Sequence, residues 1–163
     1  MNDTPTYQCY LGTVGWDHPE WQGPFYPDDL PPEWRLSFYN TTFDCVYLSY
    51  AQWSVVDPGV IEGWVDETQD RFRFVLELGN RTLSQSDKAR IHKFNGKLGL
   101  LDDQDARQDR SRLIWVDANP DLKQLAQIIQ SNTAAGFIVY LISCSPDLAA
   151  VEQLRTLMQI LGL

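Results

Sequence analysis

The sequence of 163 residues contains few of the residues from which metal and cofactor sites are built. It has two histidines, His18 and His92, and three cysteines, with no CxxC pair. A zinc site needs three or four convergent ligands at short spacing, so we predict no metal. We expect no nucleotide cofactor, because GxGxxG and Walker loops are absent and the one glycine-rich stretch carries the bulky Trp16.

Basic residues are also scarce, since 13 Lys and Arg stand against 22 Asp and Glu, a net charge of −9. Lys and Arg drive binding to nucleic acid and to anionic membranes, so neither partner is expected. The apolar run Ala134 to Cys144 is too short to span a bilayer, and residues 1–8 do not resemble a signal peptide. Cys9, Cys45 and Cys144 are odd in number and far apart, which predicts buried free thiols and a cytoplasmic protein.

The apolar content, in contrast, is that of an ordinary globular protein, and we predict one domain over residues 1–163. Short apolar runs bounded by turn residues predict five buried strands: YQCYLGTVG, FDCVYLSY, FRFVLEL, RLIWVDA and FIVYLISC. These runs lack strict alternation, which favours a parallel sheet covered on both faces. Residues 101–112 are charged and nearly free of apolar side chains, and we predict a solvated loop or a frayed helix end there.

Helical periodicity predicts helices between the later strands, at about 58–67, 120–131 and 146–161. Each predicted helix begins with a proline that follows a capping residue, namely Asp57, Asn119 or Ser145. Strand, loop and capped helix recur about five times along the chain. The sequence therefore predicts an α/β protein with mainly parallel strands and right-handed crossovers.

The stretch GTVGWDHPEWQGPFYP, residues 12–27, places many aromatic side chains just beyond the first predicted strand. Parallel α/β proteins build ligand sites at this end of their strands. The stretch resembles the N-terminal signature of the YecE-like family, domain of unknown function 72. The resemblance continues through FYNTTFDCVYLSYAQW and VIEGWVDETQDRFRFVLEL, and faintly FNGKLGLL, so it covers about the first hundred residues.

The resemblance implies a TIM-barrel-like fold, but a complete barrel typically needs about 250 residues. We therefore expect an abbreviated barrel, whose last strand matches either the fifth or the eighth of a full one. About five strands should leave edges and apolar faces uncovered. Either a homodimer or the terminal helix, Pro146 to Leu161, would cover them, and we favour the homodimer.

The sequence departs from the family pattern where that pattern is polar. The pattern carries Glu and Asn after its second strand, Lys near the end of its third and His in the loop that follows. Here the corresponding residues are Val46 to Ser49, Glu77 and a loop without histidine. The resemblance therefore implies a fold and a pocket, and it does not imply a reaction.

We predict an aromatic-walled cleft at the carboxyl ends of the strands. Its ligand-binding residues would be Trp16, His18, Trp21, Tyr26, Tyr50 and Trp53. The alternative is that these aromatic side chains form a structural lid over the end of the barrel. The first hypothesis for function is a non-catalytic protein that binds a small molecule or a partner.

The second hypothesis is a small hydrolase-like enzyme. Glu77 and Asp117 each follow a predicted strand, and together they could act as the acid and base of a glycosidase-type pair, with His18 a further catalytic candidate. Glu77 has apolar neighbours, so its carboxylate would be desolvated unless Arg81 or Arg71 pairs with it. Convergent carboxylates around a deep pocket would favour this second hypothesis.

Overall fold

A computed structural model describes residues 8–103 and 111–163, which form one sheet of six parallel strands. In chain order the strands are β1 (Cys9–Val14), β2 (Cys45–Leu48), β3 (Arg73–Glu77), β4 (Leu98–Asp102), β5 (Ser111–Val116) and β6 (Ile138–Ser143). Across the sheet their order is β4-β3-β2-β1-β6-β5, and every neighbouring pair is parallel. The predicted α/β class and parallel sheet are confirmed.

Helices alternate with the strands along the chain. They are α1 (Arg35–Tyr39), α2 (Tyr50–Trp53), α3 (Pro58–Glu67), α4 (Gln85–Phe94), α5 (Leu122–Ala134) and α6 (Leu148–Ile160). Over the described ranges, none of these helices has the length and apolar character needed to cross a membrane.

The predicted helix starts are correct for one helix and two residues early for two. α3 begins at Pro58 as predicted, and the Asp57 carboxylate accepts a hydrogen bond of 2.8 Å from the Gly59 N–H. In α5 and α6 the residue after the proline is the cap, so Asp121 and Asp147 replace the predicted Asn119 and Ser145. An aspartate two residues closer to the helix lies next to its unpaired N–H groups, from which its carboxylate can accept directly.

Four elements were not predicted from the sequence: the short helices α1 and α2, the helix α4 and the strand β4. β4 makes a sixth strand, and α4 is capped by Ser84 and Asp87, each of which accepts a hydrogen bond from the other's backbone N–H. The loop predicted for residues 101–112 is therefore wrong at both ends, because residues 101–102 belong to β4 and 111–112 to β5. Residues 104–110 lie outside the described residues.

The outer face of the sheet carries the larger apolar core. Leu11, Phe74 and Leu141 are fully buried there beneath the helices. β1 approaches β2 so closely that a Cβ at Gly12 would lie 2.2 Å from the Cys45 carbonyl oxygen, which only glycine avoids. α6 packs against β1, in the middle of the sheet, and not over an open edge, which was the alternative to the favoured homodimer.

The inner face is curled into a half-barrel. Tyr47 on β2 contacts the ring of Trp115 on β5 with centroids 4.7 Å apart, although two strands separate them in the sheet. Tyr140 on β6 reaches across to β4, where a Cβ at Gly99 would lie 2.7 Å from its hydroxyl oxygen. Tyr10 stacks on Tyr140, and the resulting cluster is buried. The chain thus buries most of this face by curling, although Trp115 stays 45% exposed, and the prediction of uncovered apolar faces had not anticipated the curl.

All three cysteines are free, but they differ in exposure. Cys9 and Cys45 are buried as predicted, whereas Cys144 is exposed just beyond β6, contrary to the prediction. Burial, with a contribution from the Asp44 carboxylate, raises the pKa of the Cys9 thiol to about 12. Both buried thiols are therefore protonated at neutral pH and unreactive while the protein is folded.

Candidate functional site

Two carboxylates lie side by side where β3 and β4 end. Glu77 and Asp102 are partners in the parallel register of these neighbouring strands, so their side chains project from the same face. Asp102 belongs to the strand that was not recognised in the sequence, and it was not among the predicted site residues. The sheet thus supplies Glu77 with a carboxylate neighbour on the adjacent strand.

Tyr47 on β2 joins this carboxylate pair from one strand further along. Its hydroxyl donates a hydrogen bond of 2.6 Å to Asp102 Oδ2, and its side chain is almost completely buried. Burial raises the pKa of Tyr47 well above its usual range, and the hydrogen bond to Asp102 and the charges of Asp102 and Glu77 raise it further. Tyr47 is therefore a neutral donor that holds Asp102 in place.

Glu77 is held mainly from the side of α2. Its Oε1 accepts a hydrogen bond of 3.1 Å from the Tyr50 N–H and lies 3.9 Å from an Arg81 guanidinium nitrogen. The Arg81 guanidinium also lies 4.3 Å from the centroid of the Tyr50 ring, a cation–π contact. Of the two predicted partners, Arg81 pairs with Glu77, while Arg71 lies 3.7 Å from the Asp44 carboxylate at the other end of the sheet.

The structure records no contact between Glu77 and Asp117, the predicted pair. Asp117 follows β5, which four strand-to-strand steps separate from β3, and its side chain is exposed. Its charge acts on Cys144, whose thiol pKa is raised by burial first and by Asp117 second. Within residues 8–103 and 111–163, no hydrogen bond or ion pair joins Asp117 to Glu77. The carboxylate next to Glu77 is instead that of Asp102.

Half of the six residues predicted for the aromatic wall belong to the core. Trp21, Tyr26 and Trp53 are each 1% exposed or less. The Trp21 indole N–H donates to the Pro146 carbonyl oxygen at 2.7 Å, which fastens the opening stretch to the loop before α6. The Trp53 indole N–H donates to the Glu77 carbonyl oxygen at 2.9 Å. These three side chains are packed as a structural lid. A ligand could reach them only if it displaced that lid.

His18 and Tyr50 are half-buried and already engaged. The His18 Nε2 lies 2.9 Å from the Val14 carbonyl oxygen, which can only accept, so Nε2 carries the proton. The His18 ring also packs on Trp21 with centroids 4.3 Å apart. The Tyr50 hydroxyl donates to the Asp87 carboxylate at 3.0 Å. His18 and Tyr50 thus have partners within the chain, and neither contacts Asp117.

Trp16 is the predicted wall residue that lines an open groove. The groove has a volume of about 220 Å³ and lies between the loop after β1, the end of β2, and α2 and α3. Its apolar walls include Leu48 and Val56, and Trp16 meets Trp64 there with ring centroids 5.0 Å apart at 86°. Trp64 was not predicted as a site residue, since in the sequence it is one more apolar position of helix α3.

Metal binding has no cluster of ligands to support it. In the part of the chain that the structure describes, no three His, Cys, Asp or Glu side chains lie together as a metal ion would require. The groove and the Tyr47, Glu77 and Asp102 cluster are therefore the two candidate sites. Both lie at the carboxyl ends of the strands, where half-barrels and barrels bind ligands.

Comparison with known proteins gives two matches. The model of the family described as protein of unknown function DUF72 matches residues 10–105. The crystal structure of a DUF72 family protein from Thermotoga maritima superposes with a TM-score of 0.57 at 10% sequence identity. That superposition covers 93% of this chain and 99% of the other, and at this identity it shows the fold alone. Among proteins with curated descriptions, none matches the sequence.

Proposed function

The chain belongs to the DUF72 family, whose function is unknown, and we propose that it is a non-catalytic protein that binds a small molecule in the groove beside Trp16. One observation carries this proposal: two indole rings and apolar side chains enclose about 220 Å³ at the ends of β1 and β2. Aromatic and apolar walls with few polar groups are typical of small-molecule sites.

The polar cluster supports binding over catalysis. Glu77 is occupied by the Tyr50 N–H and lies close to Arg81, and Asp102 accepts the Tyr47 hydroxyl. A general acid or base must be able to reach the proton it transfers, and these contacts compete with a substrate for both carboxylates. The family pattern's Glu, Lys and His are also replaced at the corresponding positions of this sequence.

A fragment titration followed by NMR tests the proposal. The indole N–H signals of Trp16 and Trp64 should shift with a chemically diverse fragment set, while those of the buried Trp21 and Trp53 stay unchanged. Trp64→Ala should weaken the binding of every active fragment about tenfold. Trp34→Ala, which removes an indole that is 62% exposed and lies outside the groove, is the matched control. The proposal is wrong if no fragment moves the two groove signals.

A hydrolase-like function is the second candidate, and the adjacency of Glu77 and Asp102 favours it. In this form of the hypothesis Asp102 takes the place of Asp117 as the second carboxylate of the pair. Turnover of a panel of nitrophenyl glycosides should then be lost in Glu77→Gln and in Asp102→Asn. Asp117→Asn, which changes an exposed carboxylate, should keep wild-type turnover. No turnover by the unmodified protein rejects this candidate.

The cellular compartment and the partners of the protein are also part of the proposal. Free Cys9 and Cys45 support a reducing compartment, and we place the protein in the cytoplasm. The net charge of −9 argues against nucleic acid and anionic membranes as partners. Self-association as a homodimer remains a prediction.

A further inference from the structure

An open groove lies outside the two candidate sites, between α1 and the end of α3. Its volume is about 440 Å³, against about 220 Å³ for the groove beside Trp16. The 3₁₀-helical turn Pro32–Trp34 runs directly into α1, so Trp34, Ser37 and Phe38 have the i, i+3, i+4 spacing of one helix face. The side chains that line the groove are those of Leu30, Trp34, Ser37, Phe38, Thr41 and Glu67.

The fold leaves the indole of Trp34 in solvent at the side of this groove. It is 62% exposed, and no aromatic ring among the described residues packs against it. Leu30 and Phe38 are partly buried and pack against the outer core, so they supply an apolar floor. An exposed indole beside partly buried apolar side chains is typical of surfaces that bind a partner.

The Glu67 carboxylate gives the groove its charge, since Glu67 alone is charged among the described residues that line it. Its Oε2 accepts a hydrogen bond of 3.2 Å from the Ser37 hydroxyl, which holds the carboxylate beside α1. Partial removal from water raises the pKa of Glu67, and the Ser37 hydrogen bond offsets part of this rise. Within residues 8–103 and 111–163, no Lys, Arg or His forms an ion pair with Glu67.

The carboxylates at the other two sites already have cations beside them. Asp17, at the edge of the groove beside Trp16, forms an ion pair with Arg35, and Glu77 lies 3.9 Å from Arg81. A carboxylate that is partly removed from water and lacks a counter-ion is stabilised when a cation binds next to it. The net charge of −9 also attracts a basic partner over a longer range. Charge complementarity therefore favours a positively charged occupant.

Arginine is the cation that fits both walls of the groove. Its guanidinium is planar, so it can lie against an indole ring while its N–H groups donate to a carboxylate. Trp34 and Glu67 offer these two surfaces in one groove. The volume of about 440 Å³ leaves room for a second side chain, and the floor of Leu30 and Phe38 favours an apolar one.

We propose that the groove between α1 and α3 is a docking site for a segment of a partner protein that carries an arginine beside an apolar residue. The guanidinium lies against the Trp34 indole and pairs with the Glu67 carboxylate, and the apolar residue covers Leu30 and Phe38. This surface is separate from the groove beside Trp16, so the inference does not depend on the proposed function.

Capped peptides titrated into the full chain and followed by NMR test the docking site. The first peptide alternates leucine with arginine, the second has citrulline, which keeps the shape of arginine without its charge, and the third has glutamate. The arginine peptide should shift the indole N–H signal of Trp34 and leave those of Trp16 and Trp64 in place. It should bind about tenfold more tightly than the citrulline peptide, and the glutamate peptide should not bind.

Two variants that remove the same charge separate the groove from the general acidity of the chain. Glu67→Gln should weaken binding of the arginine peptide about tenfold. Asp66→Asn changes the neighbouring exposed carboxylate, which does not line this groove, and as the matched control it should weaken binding less than about twofold. Trp34→Leu keeps an apolar side chain without the ring and should weaken binding several-fold. All three positions are exposed, and circular dichroism confirms that each variant is folded.

Each contrary outcome overturns a stated part of the inference. If the arginine peptide leaves the Trp34 signal in place at about 1 mM, the groove is not a docking site. If citrulline serves as well as arginine, or if Glu67→Gln and Asp66→Asn bind equally, the charge pairing is wrong. If capped arginine alone binds as tightly as the peptide, the occupant is a small cation and not a protein segment. If the Trp34 signal moves with the concentration of the protein alone, the occupant is a second copy of this chain.

Discussion

The outer face of the sheet buries a large aliphatic and aromatic core beneath helices, whereas the inner face buries a smaller cluster that includes three phenol rings. On the outer face Leu11 and Phe74 have no hydrogen-bonding group to satisfy, and Trp21 and Tyr39 donate to backbone carbonyl oxygens. On the inner face Tyr47 and Tyr140 each carry a hydroxyl into a half-barrel closed by the chain's own curl, and the Tyr47 hydroxyl donates to a carboxylate. Packing therefore dominates the first face, and the second also depends on a side-chain acceptor for Tyr47.

This difference explains where the two candidate sites lie. Tyr47 meets its partner Asp102 at the carboxyl end of the sheet, so the inner face carries a polar cluster there. The groove beside Trp16 opens at the same end, where the loop after β1 leaves the outer core. Both candidate sites thus lie at the rim at which the two faces end.

The largest effect is expected from the outer aromatic layer. Trp21→Ala removes a fully buried ring that stacks on Tyr39 and Phe43, together with its hydrogen bond to the Pro146 carbonyl. We expect the free energy of unfolding to fall by about 3–5 kcal/mol. Trp34→Ala, at an exposed indole, should change it by no more than about 0.5 kcal/mol. Denaturant titrations of both variants measure this.

A small loss in Trp21→Ala would contradict the lid interpretation. It would mean that the opening stretch tolerates a cavity, and that its aromatic side chains are available to a ligand after all. Trp21 would then belong to the ligand-binding rim and not to the core of the outer face.

The inner face should respond to the loss of a single oxygen atom. Tyr47→Phe keeps the ring and its contact with Trp115 but removes the donor to Asp102. Hydrogen bonds to charged groups contribute about 1.5–3 kcal/mol, and we expect a loss of unfolding free energy in that range. Tyr140→Phe, for which the described residues give no hydrogen-bond acceptor, is the matched variant and should lose less. Equal losses would show that the phenols act through packing alone.

Strands rich in Val, Ile and Phe could be predicted from the sequence because burial on both faces leaves a continuous apolar run. β4 could not, since Gly99 interrupts its short run and acidic residues follow directly. The glycine is there for a long-range reason, which is the approach of the Tyr140 hydroxyl from β6. The residues around Gly99 in the sequence do not indicate its contact with β6.

The candidate site, too, could be predicted only in part from the sequence. Glu77 could be predicted because it ends a recognisable strand, but its neighbour depends on strand order, which places Asp102 beside it and Asp117 far away in the sheet. Trp64 belongs to a helix whose apolar periodicity looks like core, and the groove exists only once that helix meets the loop that carries Trp16. Both features are produced by tertiary packing.

Self-association is the prediction with the smallest expected effect on stability. The chain buries most of the inner face itself, so we expect a homodimer to use the helical layer outside the outer core. Leu122 on α5 and Ile160 on α6 are 36% and 76% exposed and line one surface groove there. Light scattering should give a mass of about 37 kDa, twice the 18.7 kDa of one chain.

The variant Ile160→Lys tests whether the homodimer uses the surface around Ile160. It adds charge to an exposed position, so the free energy of unfolding should change by no more than about 0.5 kcal/mol. If the dimer uses this surface, the lysine variant should dissociate it, because two like charges would meet across a symmetric interface. A mass near 18.7 kDa for the unmodified protein at every concentration would reject the dimer. A dimer that survives Ile160→Lys would instead place the interface elsewhere, and the sheet edges would be the next surfaces to examine.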